Sequence, residues 1–414
     1  MKFDTIIIGG GLAGLTAGIK LVEAGQNVAI VSAGQSALHF NSGSFELLGD
    51  SDTKGNASFE TRFKSLPENH IYRKIGLDKI HELMDEVKPS MEKIGIKLQG
   101  EPGKAGWRLT PTGLFKPAWL TLEDHLMVDD PDHLPFKKAA IVNVKGYIDF
   151  YPQFITSGLR SKGVECIQST FDTPAIDTLR QSTTEMRSST MARVMTPDQV
   201  ELMADELKMK SRDCDAVFVP AILGLYSPQE VRLLRQKMDK PVYLVPTIPA
   251  NVPGVRAQIM HRRYFQQIGG TYFLGDTVTT GIVEGGILKQ LQTDNLGEMP
   301  ISADNFIFAS GSFFSNGIVA NIDRVFEPVL GLDVNADGGR TTWYDKNYYS
   351  DQPYMSFGLK TDRDFHPCKD GRTLDNVYAA GSVIGGVNHL KEQSGGGTTL
   401  LSALYVADQI LKKK

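Results

Sequence analysis

Apolar residues gather in short blocks at the start of the chain. Phe3-Asp4-Thr5-Ile6-Ile7-Ile8 ends in three apolar residues, Leu12, Leu15, Ile19 and Val22 recur at three- and four-residue intervals, and Asn27-Val28-Ala29-Ile30-Val31 is apolar again. A short apolar run reads as a buried strand, and the recurrence reads as a helix with one buried face. Residues 3–32 therefore predict strand, helix, strand, with Gly25 where the helix should stop. Between the first strand and the helix stands Gly9-Gly10-Gly11-Leu12-Ala13-Gly14. In that spacing Gly9 turns the chain off the strand, Gly11 keeps a Cβ out of the path of an anion, and Gly14 lets the helix close on the sheet. A phosphate would rest at the positive end of the helix dipole. The pattern predicts a nucleotide site.

The end of the second strand bears on which nucleotide. A dinucleotide site of this type usually carries Asp or Glu there, bound to the adenosine ribose. This chain has Ser32, and the next acid is Glu46. A charged hydrogen bond contributes about 1.5–3 kcal/mol against about 0.5–1.5 for a neutral one, so the exchange costs roughly tenfold in affinity. A mononucleotide needs only the glycine turn. Ser32 binding the ribose itself is the other reading.

Two later blocks repeat the theme. Asp304-Asn305-Phe306-Ile307-Phe308 closes on Ala309-Ser310-Gly311-Ser312, and Asn376-Val377-Tyr378-Ala379-Ala380 closes on Gly381-Ser382. Gly395-Gly396-Gly397 follow, then a helix predicted from Thr398 with Leu400, Ala403, Leu404, Ala407, Ile410 and Leu411 on one face. Unpaired amides at 395–399 suit the electron-rich edge of a reduced isoalloxazine. The combination resembles the two-dinucleotide-binding flavoproteins, in which both chain ends return to one flavin domain.

More specific segments narrow the resemblance. Gly34-Gln35-Ser36-Ala37-Leu38-His39-Phe40-Asn41-Ser42-Gly43-Ser44 looks like the flavin-lining loop in the family of the anaerobic glycerol-3-phosphate dehydrogenase B subunits. Phe308 to Ser315, Glu327-Pro328-Val329-Leu330-Gly331-Leu332-Asp333, Thr184-Glu185-Met186-Arg187 with Ala192-Arg193, and residues 381–386 are similar to it as well. The resemblance runs from the first strand to the last helix. It implies a non-covalent flavin: FMN, in agreement with Ser32, with FAD as the alternative. Gly9, Gly11, Gly14, Ser32, Ser42, Gly43, Gly311, Gly381, Ser382, Gly395, Gly396 and Gly397 are the implied binding residues.

It also implies oxidation of sn-glycerol 3-phosphate to dihydroxyacetone phosphate, with electrons passed to quinone. That chemistry needs a hydride acceptor, a base for the C2 hydroxyl and cations for the phosphate. Arg187 and Arg193 can bind phosphate bidentately, or form a plain surface pair. His39 is the histidine nearest the flavin-lining loop and the candidate proton acceptor, or a histidine bonded only to backbone or flavin. His389 falls outside the matching stretches and ranks lower, and His261-Arg262-Arg263-Tyr264 reads as a solvated helix face.

The middle of the chain reads as an insertion. A helix is expected near 77–94, a strand near 140–144, a helix near 198–210, and a βαβ unit from Asp215 to Val245 with a capping box at Ser227-Pro228-Gln229-Glu230. The fold expected is α/β: a discontinuous Rossmann-like flavin domain, residues 1–50 and 255–414, with an inserted cap or substrate domain over residues 51–254. The region from 271 to 292 reads as hairpin-like.

Composition sets limits. A chain of 414 residues fits two domains, and a net charge of −4 gives no nucleic-acid footprint. Three cysteines, Cys166, Cys214 and Cys368, lie too far apart to supply a cluster or metal site, and they suit a reducing compartment. No run of 18 apolar residues exists, and the chain opens on a core strand rather than a signal peptide. Electrons must therefore leave through partners. The family implies a second flavoprotein subunit and an iron–sulfur, membrane-associated subunit, which would hold a cytoplasmic chain at the inner face of the inner membrane. Two further readings stay open: an electron-relay subunit without substrate turnover, and a stand-alone flavin enzyme similar to fumarate reductases.

Overall fold

The structure, a computed structural model, describes residues 1–49, 58–104, 106–182, 184–336 and 338–413. The chain divides into two compact units. The first comprises Met1–Ala37, Glu46–Val87 and His261–Lys414, and the second comprises Leu38–Phe45 and Lys88–Met260. The expected boundary at residues 50–51 lies outside the described residues, but helix Ile71–Ile75, expected in the insertion, belongs to the first unit.

The first unit is built on a seven-stranded sheet. Five strands run parallel, in the spatial order Thr271–Leu274, Val28–Ser32, Lys2–Ile8, Ile301–Phe308, Val377–Ala379. Strands buried on both faces need apolar side chains throughout, and Ile6, Ile7, Val28, Ile30, Phe306 and Ile307 are all buried. This is the expected Rossmann-like α/β arrangement. Strands Val278–Glu284 and Ile287–Thr293 form an antiparallel hairpin joined to Ile301–Phe308. Its turn is Gly285-Gly286, both at positive φ, which the turn requires.

The hairpin corrects the reading of residues 271–292. Thr271–Leu274 is not part of it but pairs in parallel with Val28–Ser32. The break comes at Gly275, at φ 75°, where Gly275 and Asp276 both donate to the carbonyl of Ser32.

The opening helix, Leu12–Glu23, buries a different stripe from the one expected. Ala13, Gly14, Leu15, Ala17, Gly18, Ile19 and Leu21 are buried, while Leu12 and Val22 are only half-buried. The small residues bring the backbone close to its neighbours: a Cβ on Gly18 would lie 3.0 Å from both Ile30 Cδ1 and Phe265 Cε2. The closing helix, Gly395–Lys412, starts three residues before Thr398, so the glycine run is its first turn. It is buried almost all round from Leu400 to Ala407, while Leu411 is half-buried. The His261–Tyr264 stretch is not a solvated face: His261 is buried, Arg262 lies 5.9 Å from the Tyr272 ring, and Tyr264 donates to Glu23 at 2.8 Å.

The second unit holds a four-stranded parallel sheet in the order Glu165–Phe171, Lys138–Val144, Ala216–Pro220, Val242–Val245. The last two strands and helix Gln229–Lys237 make the expected βαβ unit. The capping box does not form there among the described residues: Pro228 takes the cap position, and Ser227 Oγ accepts from Gln229 N–H instead.

No helix among the described residues is long and apolar enough to cross a membrane.

Candidate cofactor site

The register of the parallel strands brings three turns side by side. Ile8 pairs with Phe308, and Phe308 pairs with Ala379. Gly9, Ala309–Gly311 and Ala380–Ser382 therefore meet at the carboxyl edge of the sheet, where open α/β sheets bind their ligands. A Cβ on Gly9 would lie 2.2 Å from the carbonyl of Ala309, and one on Gly381 would lie 2.8 Å from Ala13 Cβ. Gly311 has φ +84°, and a Cβ there would meet Ser315 at 2.9 Å. Gly317 was not foreseen, yet its Cβ would fall 1.7 Å from the carbonyl of Gly311.

Within the first turn the glycines do different work. A Cβ on Gly14 would fall 2.0 Å from the Gly9 carbonyl, so Gly14 seats the helix on the turn. Gly10, missed by the motif, lies beneath Tyr272 Oη and Ser32 Oγ, which a Cβ would meet at 1.9 and 2.6 Å. Gly11 caps the opening helix, and its Cβ would meet Ser36 at ordinary distances, Cβ at 3.5 Å and Oγ at 3.9 Å. The helix has no side-chain cap and no acid in its first turn, and the Leu12 and Ala13 amides have no acceptor among the described residues. That is a cradle for an anion.

Beside it, Ser32 is buried and donates to the Gly34 carbonyl at 3.1 Å. The neighbouring strand places Asp276 next to it. Asp276 is 3% exposed; Oδ1 accepts from Asn295 N–H at 3.0 Å, and Oδ2 is buried without a partner among the described residues. The sequence pattern hides this acid, because the strand before it reads as one arm of a hairpin.

The closing helix supplies a second set of free amides. Those of Gly395 and Gly396 have no acceptor among the described residues, while Gly397 N–H donates to Glu46 O at 2.7 Å. A Cβ on Gly397 would strike Tyr72 Oη at 2.4 Å, so this glycine packs rather than faces a ligand. Along the same turn runs His389. Thr398 Oγ1 gives its proton to Ser394 O at 2.8 Å, so it accepts from His389 Nδ1 at 3.2 Å. Nε2 of His389 is then the lone-pair nitrogen, buried with no partner among the described residues. Burial pushes its pKa down to about 4, against the opposing charge of Glu392.

In the second unit the loop 38–45 is tightly held. Gly43, at φ +81°, donates to Asn41 Oδ1 at 2.7 Å, and its Cβ would meet Leu122 Cδ1 at 2.6 Å. The carbonyl of His39 accepts from Asn251 N–H at 3.0 Å, and the residue is half-buried, as is Ser42. Arg187 precedes helix Ser188–Val194 and Arg193 lies within it; both are exposed and neither forms an ion pair among the described residues. The buried charges of this unit are others. Arg256 donates to Asp124 Oδ2, while the adjoining His125, held neutral by burial that pushes its pKa down to about 4, is bound through Nδ1 to Leu244 O at 2.6 Å.

The family described as FAD binding domain matches residues 4–399. The chain is 39% identical over 418 residues to a Yersinia enterocolitica protein named as the B subunit of anaerobic glycerol-3-phosphate dehydrogenase, covering 99% of this chain and 98% of that one. It is 36% identical to the protein of that name from Pectobacterium carotovorum, covering 100% and 99%. Among solved structures it is similar to the 3-ketosteroid delta1-dehydrogenase of Sterolibacterium denitrificans, with TM-score 0.44 and 11% identity over the full length of both chains. Flavin binding follows from the family, and the expectation of FMN finds no support in a family described as binding FAD.

Proposed function

We propose a role that starts from kinship: the chain belongs to the FAD-binding family of the anaerobic glycerol-3-phosphate dehydrogenase B subunits, and we read it as the flavoprotein subunit that takes electrons from sn-glycerol 3-phosphate. The observation that carries this reading is the meeting of three small-residue turns and the uncapped opening helix at one sheet edge. The flavin is read as non-covalent FAD. The Leu12 and Ala13 amides would hold a phosphate, and Asp276, beside Ser32, would supply the ribose-binding carboxylate that the second strand lacks. The Gly395 and Gly396 amides would face the pyrimidine edge of the ring system.

When bound, the flavin supplies a hydride-accepting, two-electron centre. The chain's part is to hold the substrate and its proton. His39 is the proposed acceptor of the C2 hydroxyl proton, with Arg187 and Arg193 on the substrate phosphate. Electrons would leave to quinone through a second flavoprotein subunit and an iron–sulfur subunit, which would also fix the chain to the inner face of the inner membrane.

A second reading has an observation of its own. Arg187 and Arg193 are exposed and form no ion pair among the described residues, so no phosphate cage is built around them. That favours an electron-relay subunit whose substrate is oxidised elsewhere. One experiment separates the two. The purified chain is treated with acid, its released flavin is weighed, and the intact protein is mixed with sn-glycerol 3-phosphate without oxygen. Released FAD and bleaching of the flavin band support the first reading. Bleaching only in the presence of the partner subunits supports the relay. A released flavin with the mass of FMN reverses the cofactor assignment.

A further inference from the structure

We propose that His389 Nε2 takes up a proton when two electrons reach the flavin, so that reduction draws two protons per electron pair rather than one. The inference rests on the reading that the flavin's pyrimidine edge lies at the start of the closing helix.

Three observations on the chain itself carry it. The tautomer is set, because Thr398 Oγ1 spends its proton on Ser394 O and leaves only an acceptor for His389 Nδ1–H. The basic nitrogen is buried with no partner among the described residues, an arrangement that costs stability unless a ligand completes it. The imidazole also lies against the ligand-facing turn, with His389 Cβ 3.6 Å from the position of a Cβ on Gly395.

The charges around it fix the direction of the response. Glu392, on the same loop, is the anion whose charge favours the protonated ring. His70, at the cap of helix Ile71–Ile75, accepts from Tyr72 N–H through Nδ1, so it carries its proton on Nε2, which donates to Glu392 Oε2 at 3.0 Å. Tyr72 from that helix is buried and bonded to Leu47 O at 2.6 Å. The first turn of the closing helix bears no acid. One carboxylate, its charge shared with His70, thus stands against burial, and His389 stays neutral down to about pH 4. A negative charge added about 4 Å away would, at an effective dielectric constant of about 20, raise the proton affinity of an imidazole roughly a thousandfold. That carries His389 into the neutral range. The electrons come from the substrate alcohol in turnover or an electrode in the test; the proton comes from solvent and ends on Nε2.

The test is a spectroelectrochemical titration of the flavin-loaded chain between about pH 6 and about pH 8, where each proton per electron pair contributes about 30 mV per pH unit. The expected slope for the natural chain is about 60 mV per pH unit below about pH 7, halving to about 30 above it; for His389→Gln it is about 30 throughout, with the flavin band retained. A slope near 30 across the whole range in the natural chain, or an unchanged profile in His389→Gln, overturns the proposal while the bound flavin leaves the cofactor reading standing. Absence of flavin from the natural chain overturns both. Glu392→Gln keeps the imidazole and removes the carboxylate that opposes its burial. The pH at which the slope halves should then move down, and an unmoved break overturns the proposal even if His389→Gln does not fold.

Discussion

Lys20 Nζ lies 2.5 Å from Asp408 Oδ1, tying the opening helix to the closing one. Lys79 Nζ takes the other carboxylate oxygen at 2.8 Å. Both lysines keep a second acid, Glu86 for Lys20 and Glu82 for Lys79. Burial pushes the Asp408 pKa up, but the hydrogen bonds and charges of the two lysines outweigh it and hold the carboxyl below its ordinary range. The depressed group stabilises the fold fully above its unfolded pKa of about 3.9, and the contribution is lost as pH falls through the lower folded value.

Asp408→Asn should therefore cost about 1–3 kcal/mol at neutral pH, the range for a charged hydrogen bond in a mostly buried setting. Urea unfolding checks it: the gap between natural chain and variant should hold steady from about pH 7 to about pH 5 and close only in more acid solution. A gap that widens on acidification contradicts the assignment.

Two glycines of the first turn should separate folding from binding. Gly14→Ala puts a methyl 2.0 Å from a backbone carbonyl, which cannot give way, so a loss of about 1–3 kcal/mol or more is expected. Gly11→Val meets only an ordinary contact with Ser36. Its flavin-free form should melt close to the natural chain while flavin occupancy falls away. Full occupancy in Gly11→Val would show that the phosphate rests elsewhere.

How much of this could be read from the sequence depended on whether the signal was local. Gly9 and Gly14 stand out because a strand and a helix flank them directly, and the apolar blocks at 304–308 and 377–379 mark strands that do join the sheet. Asp276 and Gly10 were hidden for one reason. Both matter only once Thr271–Leu274 is laid beside Val28–Ser32, a pairing across more than two hundred residues that no local period encodes. His389 was undervalued because its distinction, an unpartnered buried nitrogen, depends on Thr398 and Ser394 closing around the other side of the ring. Gly397 was overvalued for the converse reason, since a run of three glycines does not say which of them packs on Tyr72.

Asp276→Asn tests the cofactor directly. The amide oxygen can still accept from Asn295 N–H, so the loop should keep its shape. A neutral group in place of the carboxylate should weaken FAD about tenfold and leave FMN, which has no adenosine ribose, unaffected. Binding of each flavin to the deflavinated chain, followed by fluorescence quenching, gives the comparison. Equal loss for both flavins would mean that Asp276 only supports the fold.

The last test asks where the substrate is oxidised. His39→Ala and Arg187→Ala are both mild for the fold: His39 is half-buried and Arg187 is exposed with no ion pair among the described residues. Lost turnover in the intact complex would therefore report on chemistry rather than on unfolding. If His39 takes the C2 hydroxyl proton, His39→Ala should lower turnover by about 10²–10⁴, the usual contribution of a proton-abstracting residue, with flavin retained. Arg187→Ala should then raise KM for sn-glycerol 3-phosphate more than it lowers kcat, because a phosphate anchor binds the ground state and the transition state alike. In the relay reading neither residue meets the reacting carbon, and both variants should fall by less than about tenfold with KM unchanged. Steady-state kinetics of the complex with a quinone acceptor decides between them, since a shift of KM in Arg187→Ala has no place in a subunit that never holds the substrate.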